Sequence, residues 1–154
     1  MSHEERFAAL GLELPPAPKP VGVYKPLVLA GNLAYLSGHG PLRSDKTLIT
    51  GRLGREMDVD AGYAAARQTG LAILATLQNS FGSLDRVERL IKVLALVRCT
   101  DDFDQQPAVI NGCSDLFRDV FGEQNGIAAR SALGTNALPS GIAVEIEAIF
   151  EIKP

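Results

Sequence analysis

Arg130 and Glu145 carry the two functional groups in this chain whose types and setting suggest chemistry. They lie in residues 129–150, ARSALGTNALPSGIAVEIEAIF. Over residues 143–151 a period of two puts Val144, Ile146, Ala148 and Phe150 on one strand face and Glu145, Glu147, Ile149 and Glu151 on the other. Leu138-Pro139-Ser140-Gly141 reads as the connection of an antiparallel pair, which would put Arg130 on the strand next to the glutamates. A guanidinium can grip a small carboxylate with two parallel hydrogen bonds, and a glutamate can orient or deprotonate a water. The same residues also describe an ordinary cross-strand ion pair, which is the simpler reading on spacing alone.

Composition limits what such a pair could act on. The chain has 154 residues, 46% hydrophobic and 21% charged, enough for one unit with a real core. Its net charge is -3 and its pI about 5.4, so no general basic surface exists to hold a phosphate backbone, although a local patch stays possible. Apolar runs such as Leu94-Ala95-Leu96-Val97 fall far short of the roughly 20 residues of a membrane helix. Glu4, Glu5 and Arg6 interrupt any signal-peptide pattern, which gives a cytoplasmic expectation. Cys99 and Cys113 form no C-x-x-C, and His3 and His39 are the only histidines, so no zinc site is expected. The thiols are expected to be reduced core residues, with a disulfide left open.

The elements that must position Arg130 and Glu145 follow from local pattern. Residues 1–20 read as an N-terminal arm and 21–154 as the domain. In the arm, Ser2-His3-Glu4-Glu5 matches a capping box ahead of Phe7 and Leu10, and Leu14-Pro15-Pro16-Ala17-Pro18-Lys19-Pro20 forces extended chain. Residues 21–30 and 33–37 read as strands around a Gly31-Asn32 turn. The bracket Gly38-His39-Gly40-Pro41 then breaks the strand, lets backbone approach another group, and presents His39 at an edge. Residues 47–50 suggest a short edge strand. Asp58 or Asp60 caps a helix whose apolar stripe runs from Tyr63 to Phe81 and which Gly82 ends. Residues 87–99 are apolar on both faces, as in a central strand covered twice. A second long helix starts near Pro107, holds Asn111 in its first turns and ends at Gly122. This is an α+β order in which two helices cover one face of a mixed sheet. The apolar second face requires other copies of the same chain, and a site at the seams between them is expected.

Tyr24, the strand end Leu36-Ser37-Gly38, the helix opening Ile110-Asn111-Gly112, and above all Ala129-Arg130-Ser131 with Leu138-Pro139 and Val144-Glu145-Ile146-Glu147-Ala148-Ile149 resemble the RidA family. The family is also called YjgF or L-PSP, and an older name makes it an endoribonuclease. The resemblance runs from about residue 21 to 152. It implies a chorismate-mutase-like fold, a homotrimer with three intersubunit clefts, and hydrolysis of reactive enamine or imine intermediates to 2-keto acids and ammonia. By the same resemblance Arg130 binds the substrate carboxylate and Glu145 positions the attacking water. Tyr24, Ser37 and Asn111 line the cleft, partly from a neighbouring subunit, with no metal or organic cofactor. Ala132, where many active members have cysteine, and His39, where glutamine is expected, suggest a sister subgroup. There His39 could add a proton donor or an anion contact. The alternatives are a trimeric protein that binds a small acid without turning it over and, against the acidic charge, a ribonuclease.

Overall fold

Five strands form one sheet in the order β1-β2-β5-β3-β4 in the computed structural model, which describes residues 1–154. The strands are β1 (Leu27–Ala30), β2 (Leu33–His39), β3 (Val87–Arg98), β4 (Ala129–Thr135) and β5 (Val144–Ile152), and the helices are α1 (His3–Ala9), α2 (Val59–Phe81) and α3 (Gln106–Gly126). β1, β2, β5 and β3 pair antiparallel in turn, and β4 adds parallel to β3 on the outer edge.

That pairing corrects the expectation for Arg130. β4 and β5 are not neighbours, because β3 lies between them. The turn chemistry of residues 138–141 is real: Pro139–Gly141 form a 3-10 turn with Ser140 at φ 58°. A tight turn fixes only a change of direction, however, and here the chain steps over a strand instead of folding back beside its predecessor.

The hairpin of β1 and β2 pivots on Gly31, at φ 63°, as its turn requires. β1 is shorter than the stretch from residue 21, and residues 47–50 make only isolated bridges, Leu42 to Leu48 and Thr50 to Ile142. Asp58 caps α2 through Ala61 N at 2.8 Å, and Gly82 closes it at φ 81°. Pro107 opens α3 as expected, but Gly122 kinks the helix at φ 85° and the chain continues helical to Gly126.

α2 and α3 cover one sheet face. They pack so closely that a Cβ on Gly112 would lie 2.0 Å from the Tyr63 carbonyl oxygen. Between them and the sheet sit Val93, Ala95 and Val97 of β3 and Val144, Ile146, Ala148 and Phe150 of β5, with Ile73, Leu74, Leu116, Phe117 and Phe121 opposite. Cys99 and Cys113 are buried there as free thiols, and complete burial pushes the Cys113 thiol far up. The other face of β3, bearing Leu94 and Leu96, is only half-buried in one chain. On the same open face Val28, Tyr35 and Leu133 keep 52%, 45% and 51% of their surface exposed.

α1 is a third helix, stacked on α3. Its capping box forms as expected, with Ser2 accepting from Glu5 N. Glu4 accepts from Leu84 N at 2.7 Å and Ser83 Oγ at 3.1 Å. Buried His3 donates from Nε2 to the Val87 carbonyl at 3.1 Å and lies edge-on to Phe121. No helix is long and apolar enough to cross a membrane.

Candidate functional site

Two faces of the sheet each hold part of the expected constellation. Arg130 is in register with Val93, and Val93 with Ala148, so all three point to the helix-covered face. Glu145 is an odd number of residues from Ala148 on the same strand and therefore points to the open face. Two strand spacings across and three residues along separate the two α-carbons by roughly 14 Å. Arg130 and Glu145 are not an ion pair within the chain, and none of its salt bridges involves either residue.

Glu145 sits in a cleft of about 390 Å³ on the open side. Tyr24, Ser37, Gly38 and the backbone around His39 line it, together with Lys46, Ser140 and the extended proline segment from Pro16 to Pro20. A β-bulge explains how Ser37 and Gly38 reach this place. Leu36 pairs with Ala148 and His39 with Ile146, so β2 spends one residue more than β5 over that interval. The extra residue returns His39 to the core face and leaves Gly38 against Glu145, where an added Cβ would lie 2.9 Å from the Glu145 carboxyl carbon. Ser37 Oγ donates to the Lys25 carbonyl at 2.5 Å, and Tyr24, still 47% exposed, accepts from Val21 N at 3.3 Å. Partial burial, and then the neighbouring Glu147 charge, hold the Glu145 carboxyl above the usual glutamate range. A carboxylate in that condition is a better base than a solvated one.

His39 corrects a second expectation. It is 4% exposed and faces α2 instead of an edge. Nδ1 lies 2.6 Å from the Ser37 carbonyl, which can only accept, so Nδ1 carries the proton. Nε2, 2.7 Å from Thr76 Oγ1, then accepts from that hydroxyl. Burial lowers its pKa, which favours this neutral form. Both ring nitrogens are thus committed to holding the bulge.

Arg130 occupies a groove of about 340 Å³ between α3 and β4, with Asn111, Ser114 and Ile127. Its Nη1 donates to Asn111 Oδ1 at 2.8 Å and to Ser114 Oγ at 3.1 Å. Nε and Nη2 donate to no group of the chain. A guanidinium fixed on one side and unneutralised on the other is prepared for an external carboxylate. Tyr24, Ser37 and Glu145 therefore share one cleft, and Asn111 and Arg130 share the other groove. Gly38, Ser114, Thr76 and the proline segment did not emerge as parts of the site from sequence; only the glycine bracket around His39 signalled close backbone approach.

No group of histidine, cysteine, aspartate and glutamate side chains is arranged to hold a metal ion. What the fold and the two half-sites define is an α+β protein with acid and guanidinium presented separately, and the comparisons give it a family. A family model described as "YjgF/chorismate mutase-like, putative endoribonuclease" matches residues 4–143, so the chain belongs to the YjgF family, to which RidA proteins belong. It is 40% identical to the protein TCP17 of Trypanosoma cruzi over 94% of this chain and 90% of that one. It is 31% identical to a 2-iminobutanoate/2-iminopropanoate deaminase of Dermatophagoides farinae over 92% and 95%. Among solved structures, Atu1372 of Agrobacterium tumefaciens, of unknown function, superposes with a TM-score of 0.90 at 39% identity, covering 98% of this chain and 92% of that one. RidA from a Psychrobacter species superposes at 0.60 with 28% identity, covering 88% and 94%.

Proposed function

We propose that this protein hydrolyses reactive enamine and imine intermediates of the 2-aminoacrylate kind to 2-keto acids and ammonia, in clefts formed between copies of the chain. The observation that carries this reading is the separation of two complementary, unpaired groups onto opposite faces of one sheet. Neither Glu145 nor Arg130 forms a salt bridge within its own chain. A second copy, docked on the open apolar face, brings its Arg130 groove to the Glu145 cleft. Three copies close such a heterologous contact into a ring, the trimer that the family resemblance implies.

In that cleft Arg130, braced by Asn111 and Ser114, takes the substrate carboxylate in two-pronged fashion. The imine carbon is already electrophilic, so the site's work is to hold the acid, place a water and expel bulk solvent. Glu145 orients the water and accepts its proton as the C–O bond forms. The proton then passes from Glu145 to nitrogen, and as the C–N bond breaks and ammonia leaves, the hydroxyl returns its proton to Glu145 and the carbonyl forms. Ser37 and Tyr24 offer hydroxyls at the cleft wall. The similarity to a protein named as a 2-iminobutanoate/2-iminopropanoate deaminase supports this chemistry. The lower superposition on RidA than on Atu1372 supports a sister subgroup.

The test uses the division of labour. Arg130→Ala and Glu145→Gln are each expected to lose turnover of 2-aminoacrylate and 2-aminocrotonate generated in situ. Arg130→Ala removes a charge-assisted bidentate contact of about 1.5–3 kcal/mol, tenfold or more in affinity. Refolding the two inactive variants together in equal amounts restores roughly a quarter of the wild-type sites, because one cleft in four draws both intact groups from different chains. A mixture as inactive as its parts would refute the shared cleft. Ligand binding by the wild type without ammonia release would leave a binding protein instead.

A further inference from the structure

We infer that the cleft is built for an imino acid whose side chain carries a second carboxylate, and that Lys19 and Lys46 receive it. The inference rests on the proposed imine hydrolysis for the identity of the first group and on separate observations for the second.

The first observation is room. A three- or four-carbon imino acid has only a handful of heavy atoms, whereas the cleft around Glu145 in the single chain, before a second copy covers it, measures about 390 Å³, within the range of pockets that take much larger ligands. The second is charge. The charged residues lining the cleft are Lys19, Lys46 and Glu145, two cations to one anion. Neither lysine is ion-paired: the chain's salt bridges are Arg89 to Glu151 and Arg118 to Asp115 and Asp119. The nearest carboxylate in sequence, Asp45, is already engaged, accepting from Thr47 N at 2.9 Å and Thr47 Oγ1 at 2.6 Å.

The third observation is backbone. Lys46 stands at φ 71°, one of only two non-glycine residues in the chain at positive φ. It closes a tight turn in which Lys46 N donates to the Arg43 carbonyl at 3.0 Å and Arg43 N to the Thr47 carbonyl at 2.8 Å. Glycine is the residue such a turn position favours, and an L side chain there is strained. Lysine at this position gains nothing for the turn, yet the residue lines the cleft. Lys19 lines the same cleft on Pro18-Lys19-Pro20, where the flanking prolines keep the backbone extended.

With Arg130 of a neighbouring copy on the α-carboxylate and Glu145 at the imine carbon, the lysines are left for the distal end of the substrate. A neutral or aliphatic side chain would leave both unpaired, whereas a side-chain carboxylate satisfies them. The recognised class is therefore the imine of an acidic amino acid, with a keto diacid as product.

The test measures binding of two stable keto acids to the assembled wild-type protein by calorimetry, 2-oxoglutarate as diacid and 2-oxobutanoate as monoacid. Wild type is expected to bind the diacid at least about tenfold more tightly, with the ratio shrinking at high salt. Lys46→Gly should bring the ratio down about three- to tenfold while raising the melting temperature, since it relieves the turn. Lys19→Gln with Lys46→Gly should bring it near one. Equal affinities in the wild type, no detectable binding of the diacid, or a ratio untouched in the double variant would each overturn the inference. Turnover separates it from the reading beneath it. Hydrolysis of 2-iminobutanoate without a diacid preference removes only the acidic specificity. Lysine-dependent diacid binding without ammonia release from either imine removes only the catalysis.

Discussion

At Gly38 the backbone passes so close to the Glu145 carboxylate that a methyl group would lie 2.9 Å from its carboxyl carbon. Gly38→Ala is therefore expected to displace the carboxylate and cut kcat at least tenfold while leaving secondary structure intact, as kinetics beside circular dichroism would reveal. In the proposed reaction Glu145 is expected to set the acid limb of the rate profile. Its carboxyl titrates above the ordinary glutamate value because of burial first and the Glu147 charge second. As pH falls it takes up its proton earlier than a solvated glutamate, so activity that needs the carboxylate disappears at higher pH. Glu147→Gln removes the like charge, lowers that pKa and shifts the acid limb to lower pH. An unmoved limb would mean that another group is the base. The residue types at this scale were legible: the carboxylate, the guanidinium and the glycine bracket all stand out in the sequence. Their separation was not, since alternation along one strand says nothing about which strand lies next to it.

Among the elements, the bulge in β2 matters most, because it turns Ser37 and Gly38 toward the cleft and His39 away from it. His39 holds the Ser37 carbonyl and is held by Thr76 of α2. Thr76→Val would leave Nε2 buried without a partner, at a cost of about 1–3 kcal/mol. A lower melting temperature and a weakened kcat at neutral pH are expected, and unchanged kinetics would show that the bulge holds itself. Sequence pattern found the hairpin, a cap at Asp58 or Asp60, the Gly82 stop and both long helices, since each depends on neighbours within a few positions. It missed the bulge and the parallel placement of β4, which depend on pairing between distant segments. It also presented His39 at an edge, because a glycine on either side suggests exposure, whereas one inserted residue reverses the direction of every side chain that follows.

For the whole molecule, the proposed assembly depends on the open sheet face to bring the two half-sites together. Leu133 lies on that face, in register with Leu96 and through it with Glu145, and lines neither the cleft nor the groove. Leu133→Asp is expected to yield folded monomers by sedimentation and to abolish turnover; an active assembly would exclude this face from the contact. The apolar open face was legible in residues 87–99, apolar on both sides; that other copies of the chain cover it, three in all, belongs to the proposal. The strand order has one more consequence, which belongs to synthesis. β5, the last of the five strands in chain order, inserts between β2 and β3, so neither flanking strand has its neighbour on that side until β5 has been made. Until then every nascent chain carries two unsatisfied inner edges, and the sheet closes only when β5 arrives.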